Sequence, residues 1–402
     1  MSTMATDQAK QKSQGGKQPI LRRPFIVGTR TVDKSTYDKT KVMTAATQTM
    51  DSYEVDPTGF LSDLYILVEA TSTASAAVVF GPDGPFSALD SVTLNDTNNK
   101  PILGPLSGWD LYILTKYGGY TFCDDARNDP NFQTATSGSF TFCLRLPIEL
   151  VHRDALGSIP NKSASATYTL NMTIAAMAAG AFVSVPQNAL PSVRVRVQQE
   201  GWMDPNAVDS NGKPVAQNPP GGQTTQFWMK QTDTFAFGSL FTRLKGIDAN
   251  LRNLIFIIRD STASSATAAA SATGTSARNL GESNWPDPFV LQYETSTPVN
   301  RLKAIWKRKM LEDYGYIAAV GAGAQEAANS LDKGVFVLAW NKDFGLKPGA
   351  ESRFGYLPCS ASTPINISGS QGSNGTTPGA WTYLANKVVV PGNDLTTLTG
   401  GR

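Results

Sequence analysis

One helical signature occurs twice in this chain, and it constrains the architecture more than any other feature. Trp109, Ile113 and Tyr117-Gly118 lie in LSGWDLYILTKYGGY, and Trp306, Met310 and Tyr314-Gly315 lie in LKAIWKRKMLEDYGY. The offset is 197 residues (306 − 109). Spacing i, i+4, i+8 places three side chains on one helix face. The glycine after the last of them is a helix stop. Before each signature stand matched apolar positions, Val92 and Leu94 against Phe289 and Leu291. After each stand Phe140 and Phe142 against Phe336 and Leu338. Trp and Tyr are scarce, 7 and 12 in 402 residues, so agreement at both argues for duplication over two ordinary aromatic core faces. The chain reads as two copies of one unit.

The unit itself is β. Leu64, Ile66, Val68 and Ala70 alternate with Tyr65, Leu67 and Glu69. Phe140, Phe142, Leu144 and Leu146 alternate with Thr141, Cys143 and Arg145, and Val193, Val195 and Val197 alternate with Arg194 and Arg196. A period of two marks strands with one buried face. Segments 89–95 and 165–174 also read as strands, and turn clusters such as Gly81-Pro-Asp-Gly-Pro85 separate them. The second half repeats the pattern over Thr232–Gly246, Leu254–Arg259, Phe289–Tyr293, Val335–Trp340, Arg353–Pro358 and Trp381–Val390. Three small-residue tracts, Ser261–Ser276, Ala318–Ser330 and Asn366–Gly379, are expected as surface loops. About 170 residues per copy suits eight strands plus connections, the jelly-roll number. The expected fold is therefore all-β, two jelly-roll β-sandwiches in tandem, each with a short inserted helix. The expected division is a basic flexible arm (1–35), a first jelly roll (36–205), a linker (206–223), a second jelly roll (224–392) and a tail (393–402).

Composition removes most chemistry. Lys+Arg (35) nearly balances Asp+Glu (33), and a net charge of +2 does not fit a generally basic nucleic-acid coat. The single histidine, His152, excludes any site needing two. It lies beside Glu149 and Asp154 and reads as a solvated loop residue. Three cysteines do not make a disulfide scaffold; Cys123 and Cys143 read as small buried hydrophobes, and Cys359 stands alone. Gly16-Lys17 and Gly212-Lys213 have Gln11 and Ala207 where a phosphate loop needs its first glycine. No Gly-x-Ser-x-Gly elbow occurs. The acidic loop with Asp124, Asp125 and Asp129 lacks the glycine and distal glutamate of a calcium loop. The basic run Arg301, Lys303, Lys307, Arg308, Lys309 has two readings, a nucleic-acid or lipid contact and, favoured, a solvated helix face with Arg308–Glu312 and Lys309–Asp313 as i, i+4 pairs. No catalytic residue, cofactor or metal site is expected.

The N-terminus is polar with no apolar leader core, and the most apolar stretch, Thr173–Val185, is too short at 13 residues to span a bilayer. A reducing cytoplasm is the expected place of synthesis. Residues 1–30 stand apart: Lys10, Lys12, Lys17, Arg22, Arg23 and Arg30 face one acid, Asp7, for a side-chain charge of +5 (6 − 1). This arm ends in the apolar patch Pro24-Phe25-Ile26-Val27.

The order FLSDLYILVEATS, GPDGPFSALDSVTLNDTNNKPIL, GWDLYILTKYGGY resembles the major capsid proteins of tailless, membrane-containing double-stranded DNA viruses, above all the tectivirus type that infects bacteria. The resemblance implies two jelly rolls per chain and a homotrimer of pseudo-hexagonal outline. It implies capsomers that tile an icosahedral shell around an internal membrane and the genome, in contact with neighbouring capsid and vertex proteins. It implies a virion component assembled in the host cytoplasm, without sequence-specific nucleic-acid binding. Lys10, Lys12, Lys17, Arg22, Arg23 and Phe25 are then the candidate contacts to membrane or neighbour. Trp109, Ile113, Tyr117, Trp306, Met310 and Tyr314 are the candidate core of the repeat. Two other readings stand beside it. A glycan-binding or glycan-processing double jelly-roll protein would need convergent carboxylates or aromatics in a cleft. A receptor-binding spike fits two matched copies less well.

Overall fold

The computed structural model describes residues 23–71, 78–80, 83–120, 126, 129–133, 138–152, 155–177, 182–184, 190–206, 208–213, 215, 224–259, 282–314, 333–341, 351, 355–373 and 380–389. The first half holds a short helix α1 (Phe25–Gly28), then β1 (Thr31–Val42), β2 (Gln48–Thr49), β3 (Tyr53–Glu54), β4 (Gly59–Thr71), β5 (Val79–Phe80), β6 (Leu89–Asn95) and β7 (Pro101–Leu106). Helix α2 (Gly108–Tyr117) follows, then β8 (Phe140–Pro147), β9 (Ile159–Asn161), β10 (Thr169–Ile174), β11 (Phe182–Ser184) and β12 (Ser192–Trp202). The second half holds β13 (Thr225–Thr234), β14 (Gly238–Arg243), β15 (Asn250–Arg259), β16 (Phe289–Tyr293), β17 (Ser296–Arg301), helix α3 (Lys303–Tyr314), β18 (Val335–Ala339), β19 (Ile365–Gln371) and β20 (Ala380–Val389).

Both halves pair their strands in one order. In the first, β1-β12-β4-β8 forms one sheet, and β7, β6, β10 and the short β2 and β3 form the other. In the second, β13-β20-β15-β18 faces β14-β19-β16-β17. Each half is an antiparallel sandwich of two sheets, as expected for two jelly rolls in tandem. Helix α2 lies between β7 and β8, and α3 lies between β17 and β18. The hairpins that precede the helices match too: Val92 pairs with Leu106 in the first, and Phe289 with Arg301 in the second.

The cores follow from the alternation. Leu64, Ile66 and Val68 of β4 and Val193, Val195 and Val197 of β12 are all fully buried, each worth about 1.5–3 kcal/mol. The second core is aromatic: Trp285 stacks on Phe336 at 3.8 Å and on Trp381 at 4.8 Å, and meets Trp306 edge-on at 5.4 Å. The two sandwiches are joined edge to edge. Leu103 of β7 and Trp228 of β13 form a parallel bridge, so one nine-stranded sheet runs through both halves.

Three expectations change. The tract Asn366–Gly379 is not wholly a loop, because Ile365 and Ile367 face the core and Ile365–Gln371 is β19, paired to β14 and β16. The small residues Ser368, Gly369 and Ser370 after those isoleucines hid the alternation. Around Leu357 of the expected strand Arg353–Pro358 there is only an isolated bridge to Leu251. The arm is shorter than 35 residues: β1 begins at Thr31 and Arg23 N–H already donates to Val215 O at 2.7 Å. The tracts Ser261–Ser276 and Ala318–Ser330, Cys123 and the acidic residues Asp124 and Asp125 lie outside the described residues.

Candidate assembly site

The site that this fold builds is the joint between its two sandwiches, and helix α2 is its centre. Ser107 and Asp110 form a capping box: Asp110 N–H donates to Ser107 Oγ at 3.2 Å, and Ser107 N–H to Asp110 Oδ2 at 2.9 Å. Gly118 closes the helix, its N–H donating to Leu114 O at 2.7 Å. Gly119 then takes φ +86°, and a Cβ there would stand 2.8 Å from Asn341 Nδ2. The chain needs glycine to bring the helix end this close to the second half.

Three cations from the second half reach back to the first. Lys230 of β13 donates to Asp110 at 2.6 Å. Arg259 of β15 donates to Asp83 at 3.0 Å, and its guanidinium lies 4.4 Å from the Trp109 ring centre. Arg252, between them in sequence, is fully buried. Its Nε and Nη2 grip the Glu351 carboxylate at 2.7 and 2.8 Å. Its Nη1 donates to Gly118 O at 2.7 Å, Asn386 Oδ1 at 3.1 Å and Tyr120 Oη at 3.2 Å. Asn253 Nδ2 adds a second donor to Gly118 O at 3.0 Å. Cations at the carbonyl end of α2 suit the negative end of the helix dipole.

Tyr120 ties the network across the joint. Its hydroxyl donates to Gln226 Oε1 at 2.6 Å and accepts from Trp228 Nε1 at 3.2 Å. Gln226 Nε2 returns to Ile148 O of the first half at 3.0 Å. Guanidinium groups approach the Tyr120 ring from two residues, Arg252 at 5.0 Å and Arg145 at 5.6 Å. Burial pushes the Tyr120 phenol above its ordinary value. Burial opposes the charge of Arg252, but the Glu351 carboxylate outweighs it and its proton is held more tightly than usual. Such a network fixes one relative placement, because each buried donor that loses its acceptor costs about 1–3 kcal/mol.

The repeat residues flank this joint. Trp109, Ile113, Tyr117, Trp306 and Met310 are buried. Trp306 Nε1 donates to Val337 O at 2.9 Å, whereas Trp109 Nε1 has no acceptor among the described residues. Tyr314 is half-buried and meets Tyr117 edge-on at 5.3 Å, so the two helices touch at their C-termini. The i, i+4 pairs expected on α3 do not form, and Arg308 and Lys309 have no ion-pair partner among the described residues. Lys307 instead pairs with Glu282 at 3.1 Å.

Of the arm residues, Lys10, Lys12, Lys17 and Arg22 lie outside the described residues, and Arg23 is exposed. Phe25 is a correction. Its ring packs on Phe60 at 5.2 Å and Trp202 at 6.3 Å and is only 2% exposed. It anchors the arm to this chain's own first sandwich rather than to lipid or a neighbour, because Phe60 and Trp202 at the strand ends leave an aromatic seat. His152 is exposed, 3.2 Å from the buried Glu149. Among the described residues no cluster of three or more His, Cys, Asp or Glu is placed to hold a metal ion, and no helix is long and apolar enough to cross a membrane.

The sequence reading missed Arg252, Tyr120 and Glu351. The available signal was Arg252 itself, a charge set beside the apolar run Leu254–Ile258; a buried arginine needs a carboxylate partner.

Solved structures share this arrangement of two joined sandwiches. The major capsid protein of Sulfolobus Turreted Icosahedral Virus matches with a TM-score of 0.56 at 11% identity, over 91% of this chain and 98% of that one. The chain has the double jelly-roll fold. The major capsid protein P2 of bacteriophage PM2 matches with a TM-score of 0.51 at 8% identity, over 91% of this chain and 99% of that one. VP54 of PBCV-1 matches with a TM-score of 0.51 at 11% identity, over 90% and 94%. No protein-family model and no curated protein sequence matches the chain. At such identities the double jelly roll is common to these proteins through topology rather than through particular side chains.

Proposed function

We propose that this protein is a viral major capsid protein, a structural and non-enzymatic component of a virion. The observation that carries the reading is the double jelly-roll fold, matched over nearly the whole length of capsid proteins of Sulfolobus Turreted Icosahedral Virus, bacteriophage PM2 and PBCV-1. The buried joint supports it, since a tile that meets neighbours on several sides needs its two sandwiches held at one angle. In this reading the chains form homotrimers. Two similar sandwiches per chain give a trimer six similar edges, enough to fill six-coordinated positions of an icosahedral shell. The tiles enclose an internal membrane and a double-stranded DNA genome, and meet neighbouring capsomers and vertex proteins. Assembly takes place in the host cytoplasm. The first jelly roll begins with β1 at Thr31 and runs to about 205, and the second occupies 224–392, joined by 206–223. The basic arm, through Lys10, Lys12, Lys17, Arg22 and Arg23, lies against anionic headgroups, each cation near the surface worth about 1 kcal/mol.

Light scattering of the purified full-length chain tests the tile: a mass of three chains is expected, and a stable monomer sinks the reading. Vesicle flotation tests the arm. Full-length trimers should float with anionic vesicles at low salt and less at high salt, since exposed charges are screened over about 10 Å at 0.1 M. Equal flotation after removal of residues 1–23 would rule out the arm as the membrane contact.

A further inference from the structure

The joint inside one chain predicts the joint between chains. Within the chain, the free edge of β7 in the first sandwich meets the free edge of β13 in the second. The matched strand orders make β17 the counterpart of β7, and β1 the counterpart of β13. The step that carries the first sandwich onto the second therefore carries the β7–β13 contact onto β17 and the β1 of a further first sandwich. Only another copy of the chain supplies that sandwich. Among the described residues both edges are open: β1 pairs with β12 alone, and β17 with β16 alone. An open edge presents unpaired N–H and C=O groups that a second chain satisfies.

The registers identify the meeting residues. Leu103 lies opposite Leu94; the repeat matches Leu94 with Leu291, which lies opposite Val299. Val299 thus stands for Leu103. On the other side, Trp228 lies opposite Asn386, and the matched position on β12 is Arg196, which lies opposite Asp38. Asp38 thus stands for Trp228. The faces agree, because the preceding residues Tyr37 and Phe227 both pack into the core. Proline shortens both edges: Pro101 and Pro105 bracket the β7 bridge, and Pro298 directly precedes Val299.

We propose that β17 of one copy lies parallel to β1 of the next, with Val299 beside Asp38, and that this step repeats around a closed ring. The proposal rests on the capsomer reading. It also explains why α3 keeps an exposed face. Arg308 and Lys309 stand where α2 has the buried Leu111 and Tyr112. In the ring they face the sheet of the next copy, on which Asp38 and Glu69 are ion-paired with Arg194 and Arg196. The joint between copies is therefore more polar than the joint within one, and salt weakens it more.

A cysteine pair tests this. Val299→Cys and Asp38→Cys are introduced into a chain with Cys123, Cys143 and Cys359 changed to Ser. Paired strands lie about 4.7–4.9 Å apart, inside the 4.4–6.8 Å Cα range of a disulfide. Mild oxidation should convert the chain to a covalent trimer on a non-reducing gel, with each single-cysteine variant staying at monomer mass. A trimer in solution that gives no cross-link overturns this pairing and leaves the capsomer reading standing. A monomer of the cysteine-free parent overturns both. Asp38→Lys, at an exposed position, guards against a misfolded pair: it should weaken trimer association at least tenfold at low salt, and unchanged association overturns the proposal.

Discussion

Helices α2 and α3 occupy the same slot in two copies of one fold, yet nine of the ten residues of α2 are buried and only Trp306 and Met310 of the twelve in α3. The inner face is alike in both: tryptophan first, an aliphatic side chain one turn on, tyrosine at the end. The outer face differs. Where α2 has Leu111 and Leu114, both fully buried, α3 has Arg308 and Leu311, both exposed. Inner-face burial is thus set by the sandwich to which each helix belongs. Outer-face burial is set by what lies beyond it. The second half reaches α2 with Lys230, Arg252, Arg259 and Tyr314, and α3 has no such cover within the described residues.

The comparison is broken most strongly at Arg252. Arg252→Ala leaves Glu351 buried without its cation, and should cost about 3–5 kcal/mol, read as a shift of the denaturation midpoint. Arg252→Met combined with Glu351→Leu should recover most of that loss, because a buried pair replaced by apolar groups of similar volume is near neutral. If the double variant is as unstable as the single, the arginine acts through Gly118 and Tyr120 rather than through its carboxylate.

Leu114→Ala should cost about 2–5 kcal/mol. Leu311→Ala should cost under about 1 kcal/mol in the isolated chain. Equal costs would mean that α3 is covered in the single chain as well. The inner faces differ more subtly. Trp306→Phe removes a donor to Val337 O, and Trp109→Phe removes one without an acceptor. The first should therefore be about 1 kcal/mol more costly than the second.

Much of the fold was legible in sequence, because the constraints were periodic. Val193, Val195 and Val197 announce a strand by alternation alone, and the Trp-x3-aliphatic-x3-Tyr spacing announces both helices. The joint was not legible. Gly118, Tyr120, Gln226, Arg252, Glu351 and Asn386 span more than 260 residues (386 − 118 = 268) and meet only after both sandwiches have formed. No spacing rule connects them, and their only local trace was a charge beside an apolar run. Phe25 misled for the opposite reason. It closes a basic arm in a short apolar patch that suggests lipid or a neighbour, while its seat on Phe60 and Trp202 is distant in sequence.

The smallest expected effect is at His152. Its pKa is raised above 6.5, chiefly by the Glu149 carboxylate 3.2 Å away, against the cost of burial. A raised folded-state value means that the contribution is complete below pH 6.5 and fades as pH rises through the folded pKa. His152→Ala should therefore lower stability by about 0.5 kcal/mol or less near pH 5, since the histidine is largely exposed, and should change nothing in alkaline buffer. A loss that grows with pH would reverse the assignment.

The central claim is that two joined jelly rolls make one tile with six similar edges. Electron microscopy of the purified full-length protein tests it most directly. The account predicts compact particles of three chains, with threefold symmetry, a near-hexagonal outline and six lobes in projection. Particles of one chain, or twofold dimers with four lobes, would contradict it.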